Sequence, residues 1–166
     1  MEPLVYRAPL RSRRPDVPDG AGVERALAAG VCGLGGELPP SSAPGSVLAA
    51  AAALERVDGE RAARRLLRFA AVPDGAFAWT RDVDGAYLLG RLDGPYRYDA
   101  SAPARAADLV HVRPCRWLPA PVDAARVPAA VVATFGRGGR NLQRIRDAAV
   151  GAQTAELWSG GGAGVE

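Results

Sequence analysis

Every basic side chain among the 21 in this chain is an arginine, and Arg126, Arg137, Arg140, Arg144 and Arg146 fall in a stretch, 126–146, that holds no acid. Gly136, Gly138 and Gly139 interrupt it, so a ligand could approach the backbone closely there. Guanidinium groups bind phosphate bidentately and stack on bases. The segment therefore suits phosphate contact, as in nucleic-acid binding, or else it is a solvated basic loop; both readings stand. A second set, Arg7, Arg11, Arg13 and Arg14, precedes Asp16 and Asp19 near the N-terminus.

Other chemistry is less well supported. His111 is the one histidine, and it lies in an alternating strand-like segment beside Arg113. No serine sits in a G-x-S-x-G elbow, so a structural histidine is the better reading than a catalytic triad. Cys32 has no visible activator and reads as core. The two cysteines, Cys32 and Cys115, make neither a disulfide framework nor a four-ligand zinc site. Neither a metal nor a cofactor is expected. Gly33-Leu-Gly-Gly36 lacks the spacing of a phosphate loop and reads as a tight turn. Aromatics are scarce, and Trp79, Tyr87, Tyr96, Tyr98 and Trp117 crowd into 79–117. Such a cluster builds either a core or a stacking pocket for a base. Tyr96 and Tyr98 share a face if their segment is a strand. Trp117, following alternating Val110 and Val112, is most simply core.

Composition bounds these readings. With 166 residues, 48% of them hydrophobic and many of those alanine, the apolar volume suffices for one domain. The absence of lysine and near-absence of isoleucine fit a GC-rich codon bias, so arginine abundance alone says nothing about nucleic acid. No apolar run reaches the roughly 20 residues of a membrane span. Met1-Glu-Pro-Leu-Val-Tyr6 has no basic region leading into an apolar one, so no secretory signal is expected. A cytoplasmic, metal-free soluble protein is the expectation.

The elements that must position these residues follow from spacing and punctuation. Residues 4–10 suggest a first strand. Residues 23–29 suggest a helix with Gly30 as C-cap, followed by a short strand running to Gly36. Residues 37–46 form a loop or lid. Ser46 caps a helix over 47–57, Asp58-Gly59 breaks it, and a second helix covers 60–70, with Leu66, Leu67 and Phe69 inward and Arg61, Arg64, Arg65 and Arg68 on or beside the opposite face. Strands follow at 76–80 and 86–92 about an Asp-Gly turn, then at 96–98. A loop spans 99–107. A long strand spans 109–118, where Pro114 forces an edge position or a bulge. Residues 128–134 suggest a helical turn, and 142–150 a last strand or helix. One domain over 1–150 is expected, with 151–166 as a flexible Gly-rich tail.

Gly90-Arg-Leu-Asp-Gly-Pro-Tyr-Arg-Tyr-Asp99, followed by His111-Val-Arg-Pro-Cys-Arg-Trp-Leu118, resembles the EVE-type, PUA-like domains found alone and in bacterial restriction systems. Residues 28–35, the paired helices and 135–145 agree more weakly, so the resemblance covers most of 4–146. It implies an α+β fold, a PUA-like twisted and partly closed β-barrel flanked by helices, related to YTH, ASCH and SRA domains. It also implies a pocket for a modified or flipped base, with Trp79, Tyr96, Tyr98, His111, Arg113, Trp117, Gly35 and Gly36 as its candidates. Arg7, Arg11, Arg13, Arg137, Arg140 and Arg144 are the matching phosphate contacts. One departure is Gly36, where the family commonly has Trp.

The expected function is a non-catalytic DNA- or RNA-binding module that reads such a base, in phage defence or nucleic-acid regulation. An adaptor subunit bound to a protein partner is the alternative. A small nucleotide-processing enzyme comes last, because Asp99, Asp108 and His111 form no recognisable set.

Overall fold

Alternation along one strand sets the layering of the molecule, which a computed structural model describes for residues 2–162. In β3 (Phe77–Arg81), Phe77 and Trp79 enter one hydrophobic cluster, while Ala78, with Ala76 just before the strand, enters another on the opposite face. In β4 (Tyr87–Leu92), Tyr87 and Leu89 join the first cluster, and Leu88 and Leu92 the second. Both faces of the sheet are thus covered.

The fold is α+β: a curled, seven-stranded half-barrel with helices packed around it. The strand order is β2 (Val31–Leu34), β6 (His111–Trp117), β4, β3, β1 (Val5–Arg7), β7 (Gln143–Arg144), and β5 (Arg97–Tyr98) pairs with β6 off that path. β1 runs parallel to β3, so the chain between them must cross over, and it does so through helices. The other pairings are antiparallel.

Helix α1 (Ala21–Ala29) ends where Gly30 adopts the left-handed conformation, as its C-cap role requires. Helix α2 (Val47–Asp58) starts at Ser46, whose hydroxyl accepts from Ala49 N at 3.1 Å. Gly59 separates it from α3 (Glu60–Ala71), and the two helices bury Ala50, Ala51 and Leu54 against Ala62, Ala63 and Leu66. Helices α5 (Ala129–Gly136) and α6 (Val150–Gly162) cover the Phe77–Trp79 face.

The structure departs from the sequence expectations in several places, the first being Leu67, expected inward on α3 but exposed, since it sits one residue off the stripe of Ala62, Leu66 and Phe69. The loop expected at 99–107 holds a short helix, α4 (Ala102–Ala106), capped by Ser101. Pro114 is on no edge: β6 has β2 on one side and β5, then β4, on the other. Pro114 stands where the partner changes, its carbonyl accepting from Asp93 N at 2.9 Å, so its missing N–H costs the sheet no ladder bond. Finally, 150–162 is helical rather than a flexible tail. Trp158 lies 5.7 Å from the Phe77 ring, and Trp79 Nε1 donates to Thr154 Oγ1 at 3.2 Å. Residues 163–166 lie outside the described residues. No described helix is long and apolar enough to cross a membrane.

Candidate functional site

One cleft of about 1420 Å³ opens between the rim of the half-barrel and α3. Among the described residues, ten arginines and three acids line it. All six arginines expected as phosphate contacts, Arg7, Arg11, Arg13, Arg137, Arg140 and Arg144, are among them.

Arg7 builds one wall. It is 3% exposed, on β1, and its guanidinium donates to Thr134 O at 2.8 Å, Gly138 O at 2.5 Å and Asn141 O at 3.4 Å. One buried cation thereby folds the 136–141 loop around itself. Gly139 is required there: its φ is 116°, and a Cβ would sit 2.8 Å from Arg7 Nη2. Arg13 ties the N-terminal loop to the same wall through Asn141 Oδ1 at 2.6 Å. Arg7 is therefore mainly a scaffold, while Arg137, Arg140 and Arg144 stand exposed.

Helix α3 supplies the facing wall, with Ala62, Arg65, Arg68 and Ala71 recurring every third residue along the cleft. Helical spacing alone puts Arg65 and Arg68 on or beside the face opposite Leu66 and Phe69 and does not mark them as cleft residues. The usable signal was two long cations in line with small alanines. Among the described residues, Arg65, Arg68, Arg137, Arg140, Arg144 and Arg146 have no acid within ion-pair distance. Burial, then the charges of Arg13 and Arg68, hold the Arg65 guanidinium below its ordinary value. Burial and Arg137 do the same to Arg7. Such crowding is relieved by an anion.

The floor is the end of β2, Gly33 to Glu37, with Leu34, Leu54 and Leu109 beside it. Asp108 fixes this floor: its carboxylate accepts from Ser12 Oγ at 2.5 Å and from Gly36 N at 3.0 Å. Gly36 has φ 117°, and a Cβ there would press into Leu54. A tryptophan at this position would be strained by the left-handed backbone and would have to displace Leu54.

The aromatic candidates lie elsewhere. Trp79 is fully buried in the cluster under α5 and α6 and does not line the cleft, so it does not meet Tyr96 and Tyr98 in one cavity. Tyr96 and Tyr98 do share a face. Their rings lie 5.9 and 5.3 Å from His111, but they pack on the α2–α3 cluster and do not line the cleft. His111 Nε2 contacts Gly36 O at 2.8 Å; a carbonyl only accepts, so Nε2 carries the hydrogen. In the neutral ring Nδ1 then accepts from the Tyr96 hydroxyl at 2.7 Å. Tyr98 Oη accepts from Leu38 N at 2.9 Å. These three side chains hold the floor from behind. Burial lowers the His111 pKa and raises that of Tyr96.

Arg113 is structural as well. It is buried and donates to Phe69 O at 2.9 Å and Val72 O at 2.6 Å, satisfying carbonyls at the end of α3, and pairs with Asp74 at 2.9 Å. Trp117 is half-buried and donates to Val31 O at 2.9 Å. Gly35 and Gly36 alone among the base-pocket candidates line the cleft. Burial pushes the Cys32 thiol up to about 12, unlike an activated nucleophile. The arrangement sets cationic side chains along the walls and leaves an apolar end by Leu54 and Ala62. Neither protein-family models, nor curated proteins, nor solved structures match the chain.

Proposed function

We propose that the chain is a nucleic-acid-binding module that seats a phosphate backbone between its two arginine walls and takes an unpaired or flipped base onto the glycine floor. The observation that carries this is the convergence of ten arginines, most without an acidic partner among the described residues, on one cleft. Its volume of about 1420 Å³ exceeds the roughly 300–1,000 Å³ of ordinary small-molecule sites, which favours a polymer over a free nucleotide. Tyr6 is the one aromatic on its walls, so the base is held by the floor and by polar edges rather than by an aromatic cage. The EVE-type resemblance points the same way.

The test replaces Arg140 and Arg144 together by alanine and compares binding of a labelled single strand with a matched change at Arg81 and Arg91, which lie off the cleft. The cleft pair should lose about tenfold or more in affinity at moderate salt, and the control pair little. Equal losses would refute the assignment.

A further inference from the structure

Among ten arginines, three acids need an explanation. Glu37 is held by Arg14 at 3.4 Å and by Arg105 at 2.7 Å. Asp108 is held by Ser12 and by the Gly36 amide. Asp58 has no such partner. It ends α2, is exposed, and its side chain makes no hydrogen bond or ion pair among the described residues. Yet it is directed at the floor: its Oδ2 lies 3.5 Å from where a Cβ on Gly36 would stand. Leu54 and Ala62 border the same end of the cleft. Its charge reaches Arg65 and His111 through space.

An unpaired carboxylate at the apolar end of an anion-binding cleft repels phosphate and attracts donors. Its two oxygens only accept. Two acceptors side by side match two adjacent N–H donors. Guanine carries that pair, N1–H and the N2 amine, on its Watson–Crick edge. Adenine and cytosine offer one exocyclic amine beside a ring acceptor, and thymine and uracil flank their single N–H with carbonyls. We propose that Asp58 is the base-reading residue of the cleft and that it selects an unpaired guanine seated on Gly35 and Gly36. The proposal rests on the nucleic-acid reading above. The edge it uses is occupied in a duplex, so selection applies to single-stranded or flipped-out guanine.

The experiment measures binding of labelled thymidine oligomers that carry one central guanine, adenine or cytosine, for the wild type and for Asp58→Asn, across a salt series. The wild type should favour the guanine strand by about tenfold or more, the discrimination of one bidentate contact. Asp58→Asn, which converts one acceptor to a donor, should erase that preference and leave the salt slope unchanged. Salt-dependent binding with no base preference overturns the proposal and leaves the nucleic-acid reading standing. So does a uniform gain in affinity of Asp58→Asn for all three strands, which would make Asp58 a mere charge balance. No binding to any strand overturns both. Circular dichroism of the variant confirms that its helices are intact.

Discussion

At the scale of single residues, the cleft depends on groups whose hydrogen bonds are spent inside the protein. Arg7 spends its guanidinium on the carbonyls of Thr134, Gly138 and Asn141. Arg7→Met keeps the bulk and removes the donors. It should lower stability in urea unfolding by about 2–3 kcal/mol, the range for hydrogen bonds to a charged group, and weaken binding through the collapsed loop. His111 gives a pH signature. Its folded pKa lies below the ordinary value of about 6.5, so the unfolded chain binds more protons as pH falls past that value. The stability it contributes is complete above about pH 6.5 and is lost on the way down to its folded pKa. Asp99, whose pKa is also lowered against burial by Ser101, Arg25 and Arg97, acts in a more acid window, around and below the ordinary aspartate value. Thermal melts of the wild type should therefore weaken already between neutral pH and pH 5, and His111→Phe should flatten that part of the curve. A wild type unchanged over that range would show that His111 does not titrate with folding.

At the scale of elements, much was legible and the errors share a cause. The Ser46 cap, the Gly30 stop, the helix break at Asp58-Gly59 and the Asp-Gly hairpin were all readable, because each is local chemistry. Which face of an element meets which neighbour is not local. Trp79 is placed by the sheet with α5 and α6 over it, and no spacing in the chain says so. The Gly160–Gly162 run looks like a tail, yet Leu157 and Trp158 just before it find apolar partners, and that packing outweighs the low propensity of glycine. Thr154→Val should cost about 1–3 kcal/mol, because it strands the buried Trp79 N–H. Truncation after Asp147 should go further and abolish cooperative unfolding. On the other side of the molecule, Arg65 and Arg68 of α3 form half of the cleft. Replacing both with alanine should reduce the salt slope of single-strand binding by about 1.4, roughly 0.7 per lost phosphate contact, with little change in stability. An unchanged slope would remove α3 from the interface.

At the scale of the whole molecule, a GC-rich codon bias would explain the abundance of arginine but not its distribution. Ten of the 21 arginines and three of the 18 acids line the cleft, so its walls carry +7 and the rest of the chain −4, which together give the net +3. The formal charge thus understates the field inside. Both arginine segments singled out in the sequence reach this cleft, all but Arg126 lining it, although 128 positions along the chain separate Arg13 from its contact at Asn141. The parallel pairing of β1 with β3 and the antiparallel pairing of β1 with β7 bring them together. The most direct test is the affinity of the intact protein for a labelled single-stranded oligonucleotide, measured by fluorescence anisotropy over a series of salt concentrations. Log affinity should fall linearly with log salt, with a slope of about −3 or steeper if four or more phosphates are held. Affinity independent of salt, or no binding even at low salt, would contradict the account.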